Sequence, residues 1–222
     1  MLNAETVWRV AQIVERGVDW FRSYGTPAEP GPRLASVSGA VPSPGVVETA
    51  VGVGVGRLIE AAGRVDGPIA GVGLGGLSGG WLTPHEAASA VWSRAGLSAY
   101  GLTPGPGTVH VLAADDCPLE HVSDLLDYAS GETAGQCGPC MFGVLAVAAD
   151  FALLTSGQAD RVAMQRLRGR LGLLSGRGAC RFPDGVAGYA RSALRVFASE
   201  VDVHIAGGCT AGTRRSTYAV AG

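Results

Sequence analysis

Hydrophobic residues near the start of the chain recur at steps of three and four, the period of an amphipathic helix. The stripe consists of Val7, Val10, Val14, Val18 and Phe21. The pattern predicts one helix over residues 5–24, with Arg9 among the residues that face solvent. Residues 26–32 contain three prolines. Because proline lacks an amide donor and disfavours helix in the residue before it, this segment is predicted to be a linker.

After the linker the pattern changes to short extended runs separated by turn residues. Two runs, residues 34–38 and 46–49, flank a Pro-Ser-Pro-Gly turn and predict a β-hairpin. A short helix is predicted over residues 57–62, and further strands over residues 68–74 and 108–112. A hairpin, a helix and returning strands describe a small α+β unit.

From Pro118 onward apolar residues again follow a helical period. Four helices are predicted, around residues 122–129, 144–151, 162–174 and 186–201. Since the connections are short, consecutive helices should be antiparallel neighbours in a four-helix bundle. The last residues, rich in Gly, Thr, Arg and Ser, are predicted to be a flexible tail.

Composition excludes several classes of protein. The 222 residues carry a formal net charge of -2, and hydrophobic residues make up 47% of the chain. This balance gives no basic surface for nucleic acid or anionic lipid. No apolar run reaches the ~20 residues of a membrane span, so no direct membrane insertion is expected. The N-terminus lacks a signal-peptide pattern, and five cysteines are an odd number, so we expect reduced thiols and a cytoplasmic location.

Three cysteines are the candidate functional residues. Cys137 and Cys140 lie in a glycine-containing turn between the first two bundle helices, and Cys180 lies in a similar turn between the last two. Both turns should fall at the same end of the bundle, so the three sulfurs can meet. Three thiolates can hold an iron–sulfur cluster, although most clusters use four.

A Cys-x-x-Cys pair alone is weak support, because it also occurs in zinc half-sites, redox-active dithiols and ordinary cores. Zinc would require a further ligand, and the four histidines are not spaced as a partner pair. Three glycines near the cysteines, at positions 135, 138 and 178, would allow backbone amides to approach a cluster. The remaining cysteines, Cys117 and Cys209, are interpreted as incidental thiols.

Several local sequences resemble the C-terminal half of the flavin-bearing subunit of NADH:quinone oxidoreductase (complex I) and the related subunits of NAD-linked hydrogenases and formate dehydrogenases. Asn-Ala-Glu-Thr at 3–6 and Gly-Val-Asp-Trp-Phe at 17–21 are similar to two elements of that family. Residues 36–39 and 44–46 resemble the opening of its soluble-ligand-binding β-grasp (SLBB) domain. The resemblance covers nearly the whole chain.

Residues 132–140 resemble the family's cluster motif Cys-x-x-Cys-x-x-Cys, and Cys180 matches its last, distant cysteine. The resemblance implies that Cys137, Cys140 and Cys180 are metal ligands. The first ligand position is Ala134, which has no donor atom, so the cysteine set is incomplete. Three states remain open: a [4Fe-4S] cluster with one iron held by another ligand or by water, which is favoured, a [3Fe-4S] cluster, or an empty site.

The resemblance implies an α+β protein with four parts. Residues 1–32 would be a helix and linker remaining from a flavin domain, and residues 33–117 a small ubiquitin-like β-grasp domain. Residues 118–206 would be an iron–sulfur-binding four-helix bundle, and residues 207–222 a flexible tail. No FMN or NAD is expected on this chain alone, because its glycine runs lack the surrounding βαβ unit.

The leading functional hypothesis is an electron-transfer module of a redox assembly with a flavin- or ferredoxin-type protein, which makes a hetero-oligomer possible. No complete active site is present, so the chain would act only as a non-catalytic part of an NADH dehydrogenase-like oxidoreductase. Two alternatives stay open. The chain could be a cluster-free interaction scaffold, or it could be the C-terminal part of a flavin- and NADH-binding subunit whose natural start is not Met1.

Overall fold

The structure, a computed structural model, describes residues 1–211 of the chain. The strands are β1 (Pro32–Gly39), β2 (Gly45–Ala50), β3 (Ile69–Leu74), β4 (Gly80–Leu82) and β5 (Thr108–Ala113). The helices are α1 (Ala4–Arg16), α2 (Val18–Arg22), α3 (Val55–Ala61), α4 (Pro84–Ser89), α5 (Arg94–Ser98), α6 (Pro118–Gly131), α7 (Leu145–Thr155), α8 (Arg161–Leu174), α9 (Phe182–Val196) and α10 (Ala198–Ile205). The predicted α+β class is confirmed.

The N-terminal helix differs from its prediction in two ways. Gly17 has φ 88° and ψ 164° and separates α1 from α2, because a residue with positive φ cannot continue a right-handed helix. The valine stripe of α1 faces solvent, and Val14 is 82% exposed. The expectation that Arg9 faces solvent is wrong: Arg9 is buried, where its guanidinium pairs with Glu48 on β2 and donates to Gln12.

The five strands form one sheet in the order β2-β1-β5-β3-β4. The central strands β1 and β5 are parallel, and the other pairs are antiparallel. The predicted β1–β2 hairpin is confirmed. Gly39 ends β1 with φ 87°, and a Cβ atom there would lie 2.0 Å from the carbonyl oxygen of Val111 on β5, so only glycine fits this position.

Two hydrophobic cores stabilise the protein. One lies between the sheet and the helices α3, α4 and α5. The other is formed mainly by the helices from α6 onward, in which α6 packs on α7 and α9, and α8 packs on both of its chain neighbours. The last predicted helix is divided at Phe197 into α9 and α10. Of the predicted tail, residues 207–211 follow α10, and residues 212–222 lie outside the described part of the chain.

The sheet contacts the helical layer through Trp81 on β4, which is 1% exposed. Its ring meets His121 of α6 edge-on, with 5.3 Å between the ring centroids, and its backbone N–H donates to Ser192 Oγ of α9 at 3.0 Å. His121 stacks on His110 of β5, with 4.6 Å between centroids. Burial lowers the pKa of His110 to about 4, and burial together with the nearby His110 lowers the pKa of His121 to about 3. Both rings are therefore neutral at neutral pH.

Within residues 1–211, every helix is too short or too polar to cross a lipid bilayer.

Candidate functional site

Two loops at one end of the helical layer carry the three predicted ligands. Cys137 lies in the loop after α6, and Cys140 lies in the π-helix Pro139–Val144 that leads into α7. Cys180 lies in the loop between α8 and α9. Cys140 is buried, Cys137 is half-buried and Cys180 is exposed, and all three are free thiols. π-helical turns are rare and occur frequently at functional sites.

Electrostatic contacts join the two loops. The backbone N–H groups of Ala179, next to Cys180, and of Cys140 lie near the Cys137 sulfur and lower the pKa of this thiol below its ordinary value. Burial raises the pKa of Cys140, and Cys137 and Cys180 add to the rise because both lie within electrostatic range. The pKa values of the two thiols are thus shifted in opposite directions, and the third sulfur lies within electrostatic range of Cys140.

Glycine shapes both loops. Gly135 has φ 60°, a left-handed conformation that turns the chain toward Cys137. A Cβ atom at Gly178 would lie 2.8 Å from the carbonyl oxygen of Cys180, so this loop closes only with glycine there. A Cβ atom at Gly138 would meet no atom within 4 Å, which shows open space beside the Cys-x-x-Cys turn.

Ala134, at the first ligand position of the predicted motif, offers no side-chain ligand. Ala134 is exposed, and its carbonyl oxygen accepts from Gln136 Nε2 at 3.1 Å. Cys117 caps the opposite end of α6, a 14-residue helix about 21 Å long at 1.5 Å per residue. Cys117 therefore cannot complete the set.

Sequence reasoning missed a second group of residues. Cys117, Glu200, His204 and Cys209 bring one ligand atom each to within 4.8 Å of one another, and this is the only such group of His, Cys, Asp and Glu found within residues 1–211. Cys117 and Cys209 are 92 positions apart in the sequence, so no local spacing signalled their convergence.

The residues present fit an iron–sulfur cluster. Thiolate sulfur is the donor that such clusters take, and backbone N–H groups directed at sulfur stabilise the negative charge of the site. Each cysteine of a cluster binds a different iron, so its sulfurs lie further apart than the ligands of a single ion.

The comparisons with known proteins agree. Residues 120–204 match the family described as the NADH-ubiquinone oxidoreductase-F iron-sulfur binding region. The NADP-reducing hydrogenase subunit HndC of Solidesulfovibrio fructosivorans is 27% identical over 91% of this chain. The F subunit of the NADH-quinone oxidoreductase of Mycobacterium tuberculosis is 29% identical over 93% of it. A crystal structure of NAD+-reducing [NiFe]-hydrogenase matches with a TM-score of 0.80 and 30% identity over 90% of this chain.

These matches confirm the resemblance inferred from the sequence. The chain spans less than half of each relative, covering 42% of the hydrogenase subunit HndC and 46% of the mycobacterial F subunit. It covers 34% of the matching hydrogenase chain of known structure.

Proposed function

We propose that Cys137, Cys140 and Cys180 bind an iron–sulfur cluster, of the [4Fe-4S] type, in which one iron has no cysteine ligand because Ala134 occupies the first ligand position of the motif. The observation that carries this proposal is the closeness of the two loops: the backbone N–H of Ala179, next to Cys180, lies near enough to the Cys137 sulfur to lower the pKa of that thiol, and Cys180 lies within electrostatic range of Cys140. Such a cluster supplies one-electron transfer when bound.

The chain would relay electrons as part of a larger redox assembly that contains a flavin- or ferredoxin-type protein. Two surfaces support a macromolecular partner. Phe142 and Met141, beside the cysteines, are 70% and 50% exposed. The valine stripe of α1 is exposed as well, although apolar stripes of this width normally pack against protein. A hetero-oligomeric complex would cover both surfaces.

The finer fold assignment belongs to the same proposal. We assign residues 33–117 to a β-grasp (SLBB) domain and residues 118–206 to a four-helix iron–sulfur-binding bundle, after the N-terminal segment 1–32. The sheet order, with a parallel central pair flanked by antiparallel strands, supports the first assignment. The pairwise packing of the helices α6 to α9 supports the second.

The test is reconstitution of the full chain with iron and sulfide under anaerobic conditions, followed by iron analysis and electron paramagnetic resonance. We expect a brown protein whose spectrum appears on reduction, as for a four-iron cluster. Cys137→Ser should lose most of the iron, whereas the control His85→Gln, an exposed substitution away from both groups of cysteines, should retain it. A colourless, iron-free wild-type protein would contradict the proposal and favour the cluster-free scaffold.

Ala134→Cys gives a second, sharper measurement, because it restores the fourth thiolate of the predicted set. If one iron lacks a cysteine, this variant should keep four irons per chain and resist chelators and oxygen longer than the wild type. A rise from three irons to four would instead identify a three-iron cluster in the wild type. An unchanged iron content and lifetime would show that the loop does not approach the cluster.

A further inference from the structure

A second group of metal-binding side chains lies at the opposite end of α6 from the three cysteines discussed above. Cys117 caps the N-terminus of α6, Glu200 and His204 are one turn apart on α10, and Cys209 follows α10. Their ligand atoms all lie within 4.8 Å of one another. The first three residues are buried, and Cys209 is exposed, so an ion from solvent could reach the group.

The ring of His204 is oriented as a metal ligand. Its Nδ1 lies 3.3 Å from the carbonyl oxygen of Leu154, at the end of α7. Because a carbonyl oxygen only accepts, Nδ1 carries a proton, and Nε2 is left to face the group. Nε2 lies 3.4 Å from the Cys117 sulfur and 3.2 Å from Glu200 Oε1. Metal-binding histidines commonly donate their second N–H to a carbonyl oxygen in this way.

Glu200 is held in place from the other side. The backbone N–H of Thr210 donates to Glu200 Oε1 at 3.0 Å, and the Thr210 hydroxyl donates to Oε2. These bonds also fix the segment after α10, which sets Cys209 beside the other three residues. The Glu200 carboxylate is therefore buried and fixed by two donors of Thr210, close to His204 Nε2 and to the cysteine sulfurs. It is already positioned to act as an oxygen ligand.

We propose that Cys117, Glu200, His204 and Cys209 bind a single Zn²⁺ ion. Zinc takes four sulfur, nitrogen or oxygen ligands in a tetrahedron, and metal–ligand distances of about 2.0 to 2.3 Å give tetrahedron edges of about 3.3 to 3.8 Å. The two measured edges at His204 Nε2, 3.4 Å and 3.2 Å, are close to this range. The ion would join the start of α6, the end of the helical layer and the segment that follows it.

The protein supplies all four candidate ligands, so the group leaves no open coordination position for water or a substrate. A zinc ion would displace the thiol protons and stabilise both sulfurs as thiolates. The expected role is therefore structural.

The test uses the full chain in a C137S/C140S/C180S background, which removes the three competing thiols. After chelation and reduction, Co²⁺ is titrated as a spectroscopic probe and Zn²⁺ by competition. We expect one equivalent of tetrahedral Co²⁺ with a thiolate charge-transfer band, displacement by Zn²⁺, and a higher melting temperature with metal. Cys209→Ser, at the exposed position, should weaken binding at least tenfold, as should Glu200→Gln.

His85→Gln, an exposed substitution away from the group, is the matched control and should leave the titration unchanged. Three results would overturn the proposal: a reduced, folded protein that binds no Co²⁺ with thiolate character, binding that Cys209→Ser leaves intact, or a Cys117–Cys209 disulfide that forms in air as fast with excess Zn²⁺ present from the start as without it. The iron content after cluster reconstitution does not enter this test, so its outcome is independent of the proposal for Cys137, Cys140 and Cys180.

Discussion

Acid should destabilise this fold through the two stacked histidines beside Trp81. Burial lowers the pKa of His110 from 6.5 to about 4, and that of His121 from 6.5 to about 3. Both groups are neutral in the folded chain but take up protons below pH 6.5 once the chain unfolds. Their contribution to stability is therefore complete above pH 6.5, and it is lost as the pH falls toward the folded-state pKa values.

The magnitude follows from proton linkage. When the pH falls from about 7 to about 5, each histidine of the unfolded chain binds most of a proton, whereas the same histidine of the folded chain stays neutral. This difference lowers the free energy of unfolding by about 2 kcal/mol per group and by roughly 4 kcal/mol for the pair. A loss of this size is a large fraction of the stability of an ordinary domain. The sheet and the helical layer share this contact, so both should lose stability together.

The assay is urea unfolding of metal-free protein at the two pH values, with a chelator present so that metal release does not contribute. His121→Phe keeps an aromatic ring between His110 and Trp81 but removes one titrating group. We expect its pH-dependent loss to fall to about half of the wild-type loss, or about 2 kcal/mol. His85→Gln, an exposed control, should behave as the wild type does. An equal pH dependence in His121→Phe and the wild type would refute the reasoning.

Three further substitutions test the packing by urea unfolding at neutral pH. Asp150, 4% exposed, accepts from Arg166 at 2.9 Å and from Arg170 at 2.6 Å, so Asp150→Asn should cost about 2 kcal/mol because it leaves both guanidinium groups without their charge partner. A loss below about 0.5 kcal/mol would show that solvent already screens the pairs. Gly39→Ala should cost at least about 2 kcal/mol, since its methyl group would overlap the backbone of β5. Gly169→Ala, in the middle of α8 with no atom within 4 Å of the new methyl group, should stabilise the protein by about 0.5 to 1 kcal/mol, and a loss there would contradict the open space the structure shows.

A helix or strand can be predicted from the sequence when its hydrophobic residues, spaced at the helical or strand period, are also the residues that are buried. The β1–β2 hairpin and the helices α6 to α9 follow the spacing of their buried residues, and the two cysteine turns follow from the short connections between those helices. Strand β4 is not predicted, because Gly80 and its neighbouring glycines indicate a turn. The strand pairs with β3, and the backbone N–H of Trp81 donates to Ser192 Oγ, 111 positions further along the chain.

Long-range contacts also explain the two errors in side-chain placement. The stripe on α1 predicts a buried valine face, but Arg9 is buried instead because Glu48 on β2 offers it a carboxylate. The sequence pattern marks Cys117 and Cys209 as incidental, yet they meet at Glu200 and His204. In both contacts the partners lie far apart in the sequence. Hydrophobic periodicity describes one helix or strand at a time, so it predicts neither the burial of Arg9 nor the meeting of Cys117 with Cys209.

Helix α9 has a consequence for any complex that this protein forms. Its first turn follows directly on Cys180, while Ser192 and Arg195, near its other end, bond to the backbone of Trp81 on the sheet. A displacement of β4 would therefore be transmitted along α9 to the loop that carries one of the three sulfurs. By reciprocity, a ligand that holds the three cysteines together should also restrain β4.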